Sequence, residues 1–290
     1  MSSTPGRRRG LSELGRFLEI QTLGLNIPFA IAFVLVAASG LPRLVPFLLI
    51  VVAFVAARNA GHAFNRWADR GYDAANPRTS DRALPAGRLS PAFALGVTAA
   101  SSAVVFAAAF LLNRLALELA PVALLLALGY SYTKRVSALT TVFLGLVQSI
   151  TPAAAYVGLT GGLPPGVLLA VGGVLAWGTA FETVHSLGDV DSDRRLGLRS
   201  LPLRLGPPRS VQLVAVLHAV ALVLLGLFGA VERLRLPYFL ALVLMAGGVA
   251  ITDRRLARSA GDVRVPFQRH FLFGAVFLAG VVLAVFVPWP

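Results

Sequence analysis

Five oxygen-bearing side chains recur in this chain at a spacing suited to holding metal ions. Within residues 58–88, RNAGHAFNRWADRGYDAANPRTSDRALPAGR, Asn65, Asp69 and Asp73 follow one another in steps of four. On a helix, such steps align side chains along one face. Farther along, GDVDSDRRLGLRS repeats the step with Asp189 and Asp193, and Asp191 lies between them. Mg²⁺ prefers oxygen ligands in octahedral geometry, uses one or two carboxylates, and completes its shell from water and substrate phosphate. Two such faces set opposite each other would hold ions on a diphosphate. The ions would neutralise the charge that builds as the diphosphate leaves, and nearby Arg and Lys would share that task. A plainer reading has Arg66, Arg70, Arg194 and Arg195 neutralise these acids on solvated helix ends. The recurrence of the spacing favours the metal reading.

Other residues group with the two motifs. Arg58 precedes Asn65 by about two helical turns, and an arginine inside an apolar run is by default functional or paired. Glu182 stands in the same relation to Asp189 and is read the same way. Lys134, the single lysine, lies in Tyr130-Ser131-Tyr132-Thr133-Lys134-Arg135. Taken alone, that run is equally a topology signal with interfacial tyrosines. His62, His185, His218 and His270 have no His or Cys partner at metal spacing and are read as packing or polar-cavity residues. No P-loop, dinucleotide fingerprint or Ser-His-Asp pattern occurs.

These groups must be positioned by a membrane fold. The 290 residues are 57% hydrophobic and only 13% charged, with mean hydropathy +0.77. Soluble domains carry about 25% charged residues. There are no cysteines, so no disulfide or thiolate site is available. The reading is an all-α, polytopic membrane protein of one domain over 1–290, with a basic, partly disordered cytoplasmic lead over 1–19. Apolar windows near 20–41, 44–65, 91–113, 116–131, 138–159, 166–188, 210–231, 235–252 and 271–288 predict nine spans. Arg7–Arg9, the first apolar run and Val36-Ala37-Ala38 mimic a signal peptide, but Glu13 and Glu19 in its head argue against cleavage.

Net charge +13 is placed by topology, not by a nucleic-acid partner. The N-terminus and the loops after even-numbered spans hold 21 of the basic residues, and the odd-numbered exits hold 4. The positive-inside rule then puts the N-terminus and both acidic motifs in the cytoplasm and the C-terminus outside. An internal echo links the motifs: each is followed by a basic loop and a Leu-Pro pair, Leu84-Pro85 and Leu201-Pro202.

With these motifs in order, most of the chain resembles the UbiA-type intramembrane prenyltransferases, in particular the 4-hydroxybenzoate polyprenyltransferase-like branch. The resemblance rests on Arg58-Asn59-Ala60-Gly61, Asn65-x-x-x-Asp69-x-x-x-Asp73, Asn76-Pro77-Arg78-Thr79 and Arg82-Ala83-Leu84-Pro85-Ala86-Gly87. It continues in Tyr130-x-Tyr132-x-Lys134-Arg135 and in Asp189-x-x-x-Asp193-Arg194-Arg195-x-Gly197-x-x-Ser200. It implies nine helices around a central cavity open to the bilayer, a polyprenyl diphosphate donor, an aromatic acceptor and Mg²⁺. By the same resemblance, Asn65, Asp69, Asp73, Asp189 and Asp193 bind the Mg²⁺–diphosphate. Arg58, Tyr132, Lys134, Arg78 and Arg194 contact the substrate, and Glu182 lies near the acceptor.

Two departures bear on the acceptor. His185 stands where the family often has Tyr, and Gln21–Phe29 lacks the cation that many 4-hydroxybenzoate enzymes carry there. A menaquinone-pathway branch that prenylates dihydroxynaphthoate is equally compatible. Haem, chlorophyll-type or archaeal glycerol-lipid precursors follow as acceptors. A cation-coupled transporter would need acids at mid-membrane, whereas these lie at helix ends.

Overall fold

The computed structural model describes residues 13–19, 23–258 and 264–288, the side chains of 23–26 and 264–271 excepted. Among the described residues, nine long helices carry the fold: α1 Leu23–Ala38, α2 Leu44–Ala68, α3 Pro91–Leu112, α4 Arg114–Gly129, α5 Thr140–Thr160, α6 Val167–Leu187, α7 Pro207–Val231, α8 Leu236–Arg258 and α9 Arg264–Phe286. No strand occurs among the described residues. Helices α2, α3 and α5 to α8, and the run Arg114–Val136 that begins with α4, are long and apolar enough to cross a membrane. Two shorter apolar stretches, Ile27–Ala38 in α1 and Leu272–Phe286 in α9, flank them.

Each window read from hydropathy overlaps one helix, but only seven of the nine expected spans are met by helical runs of spanning length, the first and last being shorter. The helices run past the apolar windows mainly on the basic side. α2 continues to Ala68, α7 starts at Pro207, and α8 ends at Arg258. Hydropathy marks where lipid is, whereas intrahelical bonding continues into the polar cap. Pro28, Pro121 and Pro152 lie inside helices, as membrane helices tolerate when neighbours satisfy the freed backbone groups.

Most sequential helices pack on one another, and α9 returns to α1, closing a ring. The ring walls are apolar outside, with Phe110, Leu125 and Leu244 exposed where lipid tails would lie. α5 and α6 meet almost backbone to backbone. A methyl on Gly145 would fall 2.3 Å from Thr179 Oγ1 and 2.7 Å from the Leu175 carbonyl oxygen. On the other side, a methyl on Gly61 would fall 2.9 Å from the Ala127 carbonyl oxygen and so fixes how closely α2 approaches α4. Small residues at such crossings are the usual device of membrane helix packing.

Residues 13–19 are ordered against the bundle: Phe17 and Leu18 are buried with Ala63, Leu84 and Ala94. Apolar side chains facing α2 and α3 outweigh the polar character of the segment. The arginines at 7–9 lie outside the described residues.

Candidate active site

The two acidic motifs have one local architecture. α2 ends at Ala68, Asp69 sits at a break with φ −93° and ψ 3°, and a six-residue helix follows over Arg70–Ala75. α6 ends at Leu187, Asp189 sits at a break with φ −106° and ψ 0°, and a six-residue helix follows over Val190–Arg195. In both, the second Asp donates its amide to the first Asp carbonyl at 2.8 Å. The expected continuous helical face is thus a helix, a bend and a short helix, with the four-residue step preserved through the bend. The Leu-Pro echo does not hold: Leu201-Pro202 opens a helix, while Leu84-Pro85 lies in turns.

Both motifs lie at the same end of the ring, around the mouth of a cavity of about 550 Å³. Asn65, Asp69, Asp73, Asp189 and Asp193 all line it, with Arg58, Arg78, Lys134 and Glu182. Deeper in, the lining becomes apolar, with Ala57, Val105, Ala109, Ala120, Leu144 and Val147 among its residues. The expected site residues therefore converge on one cavity, with two exceptions. Tyr132 and Arg194 are outside the lining. The structural reason for Tyr132 is a 3-10 turn over Tyr130–Tyr132, whose tighter winding changes which side chain points inward. Tyr130 lines the cavity, while Tyr132 is 39% exposed and packs on Phe64 and under Arg135.

Asp69, Asp73 and Asp189 are ion-paired, but not with the expected arginines. Asp69 meets Lys134 at 3.5 Å and Arg135 at 3.3 Å, and its Oδ2 accepts from Asn65 at 2.9 Å. Asp73 meets Arg82 at 2.7 Å. Arg78 donates from Nε and Nη2 to both oxygens of Asp189, at 2.8 to 3.0 Å, and so ties the first motif's loop to the second motif. Arg66 instead pairs with Glu19, and Arg70 donates to the Trp67 carbonyl at 2.7 Å. Arg66 and Arg70, each three residues before an Asp, are thus outcompeted by cations farther along the chain. Arg58 donates to the carbonyls of Leu18 and Glu19 at 2.8 and 3.0 Å.

Two carboxyls outside the spans have displaced pKa values. Burial pushes Asp193 above its usual 3.8, against the pull of Lys134. Burial alone would raise Glu19 too, but Arg66, His62 and Arg82 together hold it below 4.5.

The sequence reading missed several groups. Gln148 on α5 donates to Glu182 at 2.9 Å. A lone amide in an apolar span was the available signal. Ser131 accepts from Asn65 at 3.4 Å, and Arg135 donates to the Ala68 carbonyl at 2.7 Å, which closes the end of α2. His62 and His185 do line the cavity. His218 is a packing residue with a partner, Asp253, at 3.0 Å, and the side chain of His270 lies outside the described residues.

The donor set fits a divalent cation. Asp73 Oδ2 is buried and has no hydrogen-bond partner among the described residues, an orphaned anionic oxygen of the kind a hard cation satisfies. Among the described residues, no three His, Cys, Asp or Glu side chains converge into a ready-made cage. Mg²⁺ ordinarily needs only one or two carboxylates where phosphate completes the shell.

Comparison with known proteins agrees with this geometry. The chain is 32% identical to the 4-hydroxybenzoate octaprenyltransferase of Aeromonas hydrophila, covering 85% of this chain and 86% of that one. It is 33% identical to the enzyme of the same name from Nitrosospira multiformis, covering 85% of each. Its fold matches the apo structure of a UbiA homolog from Aeropyrum pernix K1 with TM-score 0.82, at 31% identity over 91% of this chain and 98% of that one. A UbiA homolog from Archaeoglobus fulgidus, bound to DMAPP and Mg²⁺, shares the fold with TM-score 0.74 at 18% identity, over 94% and 99% of the two chains. The UbiA prenyltransferase family matches residues 26–274, and the chain belongs to that family as a membrane prenyltransferase.

Proposed function

We propose that this prenyltransferase moves a polyprenyl group from its diphosphate to a ring carbon of a 4-hydroxybenzoate-like acceptor in quinone biosynthesis. The observation that carries the reading is the pair of matching acidic bends. They are joined by Arg78 and Asp189 over a cavity that turns apolar with depth. Asn65, Asp69, Asp73, Asp189 and Asp193 would hold Mg²⁺, which supplies positive charge to the departing diphosphate. Lys134, Arg82 and Arg78 are now spent on carboxylates. With metal on those carboxylates, the same cations would be available to the diphosphate and so would keep an anionic partner.

The allylic C–O bond breaks with its electron pair going to the diphosphate oxygen. The ring carbon ortho to the phenolic oxygen attacks the resulting cation, and loss of its proton restores aromaticity. Glu182, oriented by Gln148, is the base we assign. The apolar wall excludes water that would otherwise trap the cation as an alcohol. Dihydroxynaphthoate, which also carries a ring carboxylate, stands as the second acceptor. We further place the N-terminus and the active-site loops in the cytoplasm and the C-terminus outside, with residues 1–290 working as one domain.

The test is a panel. Membranes carrying the protein receive labelled polyprenyl diphosphates, Mg²⁺ and either aromatic acid, alongside haem and glycerol-lipid acceptors. A labelled prenyl-aromatic lipid is the expected product. No aromatic product from any donor length would sink the reading.

A further inference from the structure

Arg66 stands apart from the other cations at the mouth. Lys134, Arg82 and Arg78 pair with aspartates of the two motifs, whereas Arg66 pairs with Glu19. Glu19 belongs to the N-terminal segment rather than to the ring, and that segment is anchored so as to deliver it. Phe17 and Leu18 are buried against α2 and α3, and Arg58 holds the last two carbonyls from below. The Glu19 backbone has φ 48°, a left-handed conformation that costs energy for any residue with a Cβ. The side chains of Arg66 and Glu19 are 8% and 29% exposed, and both residues line the cavity.

A buried guanidinium without an anion is strongly penalised, while exchanging one carboxylate for another changes little. Arg66 therefore needs a carboxylate in every state, but that carboxylate need not be Glu19. The partner that can leave is the more exposed one on the strained backbone. The diphosphate is already accounted for by the aspartate motifs, their cations and Mg²⁺. A carboxylate on the acceptor is the remaining anion, and α1 supplies no cation for it between Leu23 and Phe29.

We propose that Arg66 is the subsite for the acceptor's carboxylate, and that Glu19 is a built-in occupant which the acceptor displaces on entry. The identity of the acceptor rests on the aromatic-acid reading above. The exchange itself rests on the Arg66–Glu19 geometry. Glu19 then acts as a specificity element. It keeps Arg66 paired before substrate enters, and it disfavours phenols without a carboxylate, which cannot replace it.

The test reads binding rather than turnover. Benzoate, which has the carboxylate but not the reacting phenol, is titrated into purified wild-type, Glu19→Gln and Glu19→Gln/Arg66→Gln protein. Affinity is read by calorimetry and melting temperature, with uncharged benzamide as control. Glu19→Gln should bind benzoate about tenfold more tightly than wild type, a modest value for a close charge pair. Its melting temperature should rise more with benzoate than that of wild type, and benzamide should do neither. The double variant leaves no charge unpaired and should lose the gain. If Glu19→Gln alone is recovered poorly, benzoate in the purification buffer should restore the yield, and failure to do so counts against the exchange. Equal affinity in wild type and Glu19→Gln overturns the proposal, as does a gain that survives in the double variant. If benzoate follows the expected pattern while no aromatic acid is prenylated, the acceptor assignment falls and the subsite stands.

Discussion

At the scale of residues, the site is a set of aspartates held by the chain's own cations. Asp69 is held by Lys134 and Arg135, Asp73 by Arg82, and Asp189 by Arg78. Asp69→Asn and Asp193→Asn should each abolish Mg²⁺-dependent transfer in membranes while expression is unchanged, and full activity in both would remove the metal assignment. Lys134→Met should lower kcat by about 10²–10³, as for loss of one preorganised donor to a developing anion, with a smaller change in KM for the diphosphate. Asp193 adds a pH signature. Its carboxyl lies above the usual 3.8, so protonation favours the fold. That stabilisation is full below 3.8 and lost as pH rises through the folded value. Metal binding has the opposite sense because it needs the carboxylate. The Mg²⁺ concentration for half-maximal rate should therefore climb as pH falls, starting above the range of an ordinary aspartate.

At the scale of elements, much was legible because lipid imposes a long, simple signal. Each apolar window became one helix, and the step of four in Asn65, Asp69 and Asp73 survived as backbone bonds across the bend. What escaped was local winding and long-range pairing. The 3-10 turn at Tyr130–Tyr132 turned Tyr132 away from the cavity, and no hydropathy pattern encodes that. Arg78 found Asp189 across 111 residues, a choice made by the fold rather than by spacing. Glu19 was hidden in a basic lead whose Phe17 and Leu18 proved to be buried.

Two predictions belong to this scale. Gly145→Ala should cost about 1–3 kcal/mol through overpacking of α5 on α6. It should also lower kcat by displacing Gln148 from Glu182, as read by thermal unfolding and turnover of the purified protein. Glu19 has a lowered pKa, so its pairing with Arg66 stabilises the fold above the unfolded value near 4.5. That contribution is lost as pH falls through the folded value. The melting temperature should drop on acidification through that window, and Glu19→Gln should flatten the drop.

At the scale of the whole molecule, a ring of apolar helices carries the acids of both motifs and their cations at one end, above an apolar interior. No metal cage is assembled in advance among the described residues. The account's central claim follows from that: Mg²⁺ and diphosphate bind together, each completing the other's site. The most direct measurement is calorimetric titration of the purified protein with Mg²⁺, with geranyl thiodiphosphate, and with both together. The account predicts weak, non-saturating binding of Mg²⁺ alone, weak binding of the thiodiphosphate alone, and tight binding of the pair that is lost in Asp69→Asn. Tight, saturable Mg²⁺ binding to the protein without diphosphate would contradict it.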